Sequence, residues 1–584
     1  MGLVKIRDGM ALATVLIFVG TACGPGVAPG DGSVPVQGGT LKVIGSGDVD
    51  HLDPSSSYTT VAYTLNRTWT RQLVTYPASN DFNKAITIVP DVAEALPQIS
   101  ADGRTYTFKI RDGVRWNTTP ARQVTAADFV RGLKRLANPV QPSGGISYYT
   151  GTIEGMQEFF TAFQKAPKTA AGIAQFMAHN QIKGVRAVDP KTLEIRLTTK
   201  ASDFLNIMAL PFASPAPVEY EKYVPDGPEF RQNTISLGPY QITTYQAGRA
   251  ILLNRSPAWK QDADPVRRQY VERIQIMLGQ ESADVVQQQL EAGTADLSWD
   301  QPVPTSAIQR MNGDPEFHVF EGSSLNPFLV FNLQSPNNNR ALANVKVRQA
   351  INFAINKVAI AQIYGGPMLN TVLDGAIPQG SSGFDIDVKP YTTPGHVGDP
   401  GKCRTMLAEA GVSGLTFQFP YRTTGNHPKV AQAIAADLTK CGIATTLIAT
   451  SPDDFYGRYL SSVAKSREGK WDIGGPSWLP DWYGNNGRSI VVPLFYGANY
   501  AEGSTNYGAY NNPAVNATIA KALTAASASA AEASWKQVNA MIMADAPIVP
   551  LISQNVPTFR SSRVQNALYS PLSQQFDYTQ LWLG

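Results

Sequence analysis

Two apolar periods alternate along this chain from Thr40 to its end, one of two residues and one near 3.6, and their alternation restricts the fold to a mixed α/β class. Thr40 to Ile44 reads as a short buried strand. Tyr106, Phe108 and Ile110 alternate with Thr107, Lys109 and Arg111 as in a half-buried strand, and Asp112-Gly113 supplies a turn. Thr125 is placed to cap a helix whose Phe129, Leu133 and Leu136 share one face, with Asp128 as capping-box partner. Val185 to Val188 and Leu193 to Leu197 flank Asp189-Pro190-Lys191-Thr192 as a hairpin. The apolar run Phe328 to Leu333 precedes Val347, Ile351, Ala354 and Val358 at helical spacing. No repeat at solenoid spacing is visible. At 584 residues the chain has room for roughly three or four domains. Lys and Arg number 49 against 46 Asp and Glu, too even a balance for a dedicated nucleic-acid binder.

The first residues read as an address. Lys5 and Arg7 precede an apolar stretch from Met10 to Val19, about half of the ~20 residues a spanning helix needs. Residues 1–22 are therefore expected to be a signal peptide. The segment Val19-Gly20-Thr21-Ala22-Cys23 resembles a bacterial lipobox, with Gly20 where Leu is usual, which implies cleavage before Cys23 and lipidation of its thiol. The alternative is an ordinary cleaved signal. From Gly24 to Gly38 eight of fifteen residues are Gly or Pro, so 23–38 is expected to be a flexible tether. These features place the protein on the outer face of the cytoplasmic membrane, held by its lipid alone.

The remaining cysteines, Cys403 and Cys441, are an even pair in an oxidising compartment. Two helices separated by a strand carry them, and helices in that arrangement run parallel. Cys403 begins the first and Cys441 ends the second, which opposes the ~5.5 Å Cα separation of a bridge. A disulfide and two buried thiols both stay open. The five histidines share no ligand spacing, and the commonest local signatures of metalloproteases, phosphate-binding loops and serine hydrolases are missing. Neither an enzyme, a metal nor a cofactor is expected.

Longer fragments carry a resemblance. They are Gly38-Gly39-Thr40-Leu41 with Leu52-Asp53-Pro54, then Asp102-Gly103-Arg104-Thr105-Tyr106-Thr107-Phe108 running into Arg111-Asp112-Gly113-Val114. Val124-Thr125-Ala126-Ala127-Asp128-Phe129, Leu237-Gly238-Pro239-Tyr240 and Phe331-Asn332-Leu333 follow in order. Val345-Lys346-Val347-Arg348-Gln349-Ala350-Ile351 and Leu407-Ala408-Glu409-Ala410-Gly411 complete the series. In this order they resemble the extracellular solute-binding proteins of ABC importers, peptide/nickel-binding family (family 5). The resemblance implies a two-lobed periplasmic-binding-protein type II fold with an additional accessory domain. The first lobe would comprise 39–65, 206–335 and 546–584, the accessory domain 66–205, and the other lobe 336–545. It implies a monomer that closes on its ligand and is read by ABC permease and ATPase subunits.

The segment from Trp478 to Arg488 holds aromatics, an acid and turn residues without a continuous apolar stripe. In peptide-binding relatives a Trp followed three residues later by Asp stands here, and the Asp accepts the ligand's α-ammonium. Trp478 and Asp481 keep that spacing, with Trp482 beside them. A buried ammonium needs a compensating carboxylate; the bland alternative is a loop acid closing a local Asx turn. By the same resemblance Tyr58 and Thr60 match an edge that pairs with a peptide backbone, Trp299 and Asp300 a cleft-lining pair, Phe328 a hinge position, and Tyr148 and Tyr459 cleft aromatics. Each of these aromatics is equally well read as core. The Arg that some oligopeptide binders carry just before this Trp is absent from Gly474-Gly475-Pro476-Ser477, leaving Arg467 or Arg488 as substitutes. The expected function is a receptor for short peptides. A receptor for a metal chelate, haem or oligosaccharide, a peptide-sensing receptor and a secreted hydrolase are its rivals.

Overall fold

The computed structural model describes residues 34–452 and 454–584, so the signal segment, Cys23 and most of the tether lie outside the described residues. Val36–Gly584 forms one compact unit. Among the described residues no helix is long and apolar enough to cross a membrane.

Three bodies of packed structure make up this unit. The first lobe is built on a five-stranded sheet in the order Tyr240–Gln246, Ala250–Arg255, Arg273–Met277, Thr40–Ile44, Leu297–Ser298. Thr40–Ile44 runs parallel to both neighbours, while the first three strands meander antiparallel. Leu41 and Val43 point inward and are fully buried with Ile251, Ile274 and Trp299. The C-terminal Leu581 and Leu583 close the same core, so this body is assembled from widely separated stretches of chain.

The accessory body carries a four-stranded antiparallel sheet in the order Gln98–Ile99, Thr105–Lys109, Thr192–Arg196, Val185–Asp189. The helix Ala126–Arg135 forms where Thr125 and Asp128 were read as a capping box, and both capping bonds are present. Its Phe129 and Leu133 are buried with Phe108, Leu193 and Ile195.

In the second lobe, Thr416–Arg422 pairs parallel with Ala444–Thr450 around the helix His427–Lys440. Beside them Phe328–Phe331 lies between Ile473–Gly474 and Ile548–Pro550. The chain enters this lobe through Phe317–Phe331 and returns through Ile548–Phe559. The two passages pair antiparallel at both ends, Phe317 opposite Phe559 and Phe328 opposite Pro550. Two adjacent strands joining two bodies form a natural hinge.

The accessory body is fastened to the first lobe by buried ions. Arg71 and Arg267 both bond Asp91 at 2.8 Å, and both approach Asp264, at 3.4 and 3.5 Å; all four side chains are essentially inaccessible. Burial opposes ionisation of Asp264, but the two guanidiniums beside it overcome that and hold its carboxyl far below the usual range.

Cys403 and Cys441 are paired, with Cα atoms 5.8 Å apart. Cys403, in the first turn of Pro400–Glu409, meets Cys441 at the end of His427–Lys440, where Arg404 donates to the carbonyl of Lys440. The separation expected of these two positions on parallel helices is not the one found.

Candidate functional site

The loop from Ser477 to Arg488 leaves the second lobe and meets both other bodies. Trp478 is fixed at its base: its backbone exchanges hydrogen bonds with Leu325 at 2.8 and 3.0 Å, and its indole donates to the carbonyl of Ser489 at 2.8 Å. Three residues on, the Asp481 carboxyl accepts a hydroxyl on each oxygen, one from Tyr58 of the first lobe and one from Tyr148 of the accessory body. Three bodies thus converge on one carboxyl group. The surrounding protein raises the Asp481 pKa by desolvation, while the hydroxyls of Tyr148 and Tyr58 pull it down; the net shift is upward. Tyr58 stacks on Phe212 with ring centroids 5.7 Å apart and stays partly exposed.

A cavity of about 310 Å³ lies between the lobes, lined by Thr60, Trp299 and Asp300 of the first lobe, Leu479 of the second, and Asn326 and Gln554 of the two hinge passages. Leu479 is 40% exposed, an apolar side chain held out beside the cavity. Trp299 and Asp300 serve mainly to hold the wall. The Trp299 indole donates to the carbonyl of Gly47 at 2.9 Å, and the Asp300 oxygens accept from the N–H groups of Ser46 and Gly47 at 2.7 Å. A Cβ on Gly45 would sit 2.3 Å from Asp300, so only glycine admits this approach.

Other expected site residues sit elsewhere. Trp482 is fully buried in the accessory body's core and meets Tyr148 edge-to-face at 4.9 Å, so it packs against the site without lining it. Phe328 is buried in its strand. Tyr459 lines a separate surface hollow with Arg458 and Lys470. Phe328 and Trp482, aromatics that resemble ligand contacts in sequence, are taken by packing.

The cation absent before Trp478 comes from another strand. Arg422, at the end of Thr416–Arg422, donates Nη2 to the Gly475 carbonyl at 3.0 Å and to Ser477 Oγ at 3.1 Å. Its guanidinium lies over Phe455 and Tyr456, 5.3 and 5.2 Å from the ring centroids, and its buried Nε has no partner among the described residues. Burial, and secondarily Arg422, lowers the pKa of nearby His427 to about 4. Tyr364 approaches His427 Nδ1 at 3.5 Å. Arg467 instead pairs with Gln334, and Arg488 with Asp203 and Thr152. Arg422 is 56 residues before Trp478, and only the pairing of Thr416–Arg422 within the second lobe brings it beside Ser477; local spacing carries no signal of that. Among the described residues no group of three His, Cys, Asp or Glu is placed to hold a metal ion.

The geometry is thus an interlobe cavity walled by Trp299, Asp300 and Leu479, with the Asp481 carboxyl and the Arg422 guanidinium at either end of the segment Ser477 to Asp481 and outside that cavity's lining. The profile of the bacterial extracellular solute-binding proteins, family 5, matches residues 87–501. The chain belongs to that family. It is an ABC substrate-binding protein with the two-lobed type II fold of mixed α/β content. It is 28% identical over 511 residues to a heme-binding protein A of Haemophilus influenzae, covering 84% of each chain. To the dipeptide-binding protein of Escherichia coli K12 it is 28% identical over 440 residues, 72% of each. Among solved structures, a clavulanic acid biosynthesis oligopeptide binding protein 2 superposes with a TM-score of 0.83 at 25% identity, over 94% of this chain and 96% of that one.

Proposed function

We propose that this protein captures short peptides between its lobes, with the peptide's α-ammonium on Asp481 and its carboxylate toward Arg422, and presents them to an ABC permease. One observation carries the reading: the half-buried carboxyl of Asp481 and a guanidinium whose Nε has no partner among the described residues flank one short segment, Ser477 to Asp481. Opposite charges at the two ends of a site favour a zwitterion over a neutral sugar. The peptide-binding names among the relatives support the class of ligand.

Export and anchoring belong to the same proposal. The leader and Cys23 give a lipoprotein on the outer face of the cytoplasmic membrane, acting as a monomer with permease and ATPase partners and without catalysis of its own. The bodies are assigned as 39–65, 206–335 and 546–584 for the first lobe, 66–205 for the accessory domain and 336–545 for the second lobe.

Native mass spectrometry of the freshly purified protein tests the ligand class. A spread of bound masses resolving to short peptides is expected, and one defined non-peptide mass would overturn the reading. Calorimetry then tests the anchor. Asp481→Asn should weaken peptides with a free amine by about 1.5–3 kcal/mol, the range for a hydrogen bond to a charged group, and spare their N-acetylated forms.

A further inference from the structure

The accessory body does more than flank the cleft. Trp482, the residue after Asp481, is fully buried in that body's apolar core. Asn206 Nδ2 donates to the carbonyls of Tyr483 and Gly484 at 3.3 and 2.9 Å, and the Tyr76 hydroxyl also donates to the Tyr483 carbonyl, at 2.8 Å. Arg488 closes the loop on the same body. Its Nη1 lies 3.5 Å from Asp203, both side chains nearly inaccessible, and its Nη2 donates to Thr152 Oγ1 at 3.0 Å. The two ends of the loop meet on one ring. The Arg488 guanidinium lies 5.8 Å from the Tyr148 ring centroid and Trp482 4.9 Å from it, while the Tyr148 hydroxyl reaches Asp481.

We propose that the accessory body, together with Asn206 where the chain passes into the first lobe, positions the ammonium-accepting carboxyl of Asp481, with Asp203, Asn206, Trp482 and Arg488 as positioning residues. This rests on Asp481 taking the peptide amine. Tyr148 is held between a cation and an indole that both belong to the loop, so its hydroxyl and Asp481 keep one mutual geometry. A hydrogen-bonded site depends on such support, because small displacements of the acceptor remove the directional bond and leave the desolvation cost in place. Residues in one packed network are energetically coupled. Changes at Asp203 or Trp482 are therefore felt at Asp481 without touching the ligand.

The experiment measures, on the full chain, the affinity of one dipeptide in three forms: free, N-acetylated and C-amidated. Asp203→Asn and Trp482→Ala are expected to lower the preference for the free over the acetylated form by roughly tenfold, the size of a coupling of about 1.4 kcal/mol. Preference for the carboxylate over the amide should stay unchanged, and Asp203→Glu should restore the amine preference. Equal loss for all three peptides, or an intact amine preference, overturns the proposal. If Asp203→Asn does not fold, Arg488→Lys makes the same test, since Lys keeps the charge but cannot span Asp203, Thr152 and the Tyr148 ring together. A wild-type protein with no preference for the free amine sinks the ammonium reading itself, an outcome visible before any variant is made.

Discussion

Arg422 and Ser477 meet at 3.1 Å, joining the end of one strand of the second lobe to the segment that leads into Trp478 and Asp481. The bond supplies a cation where the local sequence, Gly475-Pro476-Ser477, has none. The Nε of the same guanidinium is buried, with no hydrogen-bond partner among the described residues.

If that donor takes a peptide carboxylate, Arg422→Gln should weaken free-carboxylate peptides by about 1.5–3 kcal/mol, the range for a hydrogen bond to a charged group, and leave C-amidated peptides nearly unchanged. Paired calorimetric titrations check this. Equal loss for both peptides would remove Arg422 from the site.

The two ends of the site should respond to pH with opposite sign. Asp481 binds an ammonium only when ionised, and burial has raised its pKa, so amine-dependent affinity falls on acidification at a pH above the ordinary aspartate range. His427 behaves the other way. Its pKa, lowered to about 4 by burial and then by Arg422, leaves it neutral near pH 6.5, and a carboxylate brought in beside it favours its protonation. Between about pH 4 and 6.5 carboxylate binding therefore takes up a proton and strengthens as pH falls. An N-acetylated peptide isolates the His427 effect and a C-amidated peptide isolates that of Asp481. Titrations in buffers of different ionisation enthalpy would read the proton uptake directly.

The ions joining the accessory body to the first lobe make a third prediction. Asp91→Ala leaves Arg71 and Arg267 without their closest carboxylate, and breaking such a buried pair costs about 3–5 kcal/mol. Asp264, held far below its usual pKa, contributes stability that is present above the unfolded value near 4 and lost as pH falls further. Urea unfolding of wild type and variant, at neutral pH and near pH 3, checks both statements. A stability unchanged at neutral pH would contradict the assignment.

The Cys403–Cys441 bridge closes a loop of 38 residues. By the chain-entropy relation its removal costs about 4 kcal/mol. The double variant Cys403→Ala, Cys441→Ala should therefore lower the urea midpoint without changing peptide selectivity, because both sulfurs are buried in the core beneath the second lobe's parallel strands. A change in selectivity would tie this core to the cleft.

Elements whose information is local were legible in the sequence. The Thr125–Asp128 capping box, the hairpin at Asp189-Pro190-Lys191-Thr192 and the strand Thr40–Ile44 each rest on a few neighbouring residues, and each appears in the structure. Trp478 and Asp481 keep the spacing of three that the resemblance pointed to, and the structure sets the Asp481 carboxyl against Tyr58 and Tyr148. The roles of the aromatics were not legible. Phe328 and Trp482 have the side chains of ligand contacts and are buried in cores, whereas Trp299, also buried, does line the cavity, because an indole or phenyl ring serves core and cleft alike and only its neighbours decide which.

The sequence by itself determined the mixed α/β class and those strands, turns and caps whose signals span a few residues. Tertiary structure alone decided what those parts face. It carried Arg422 to Ser477 across the second lobe, brought the start of one helix to the end of another so that Cys403 met Cys441, and set Tyr58 and Tyr148 of two bodies on the one carboxyl of Asp481. Those meetings depend on how sheets twist and stack over long separations, where no local period records the partner.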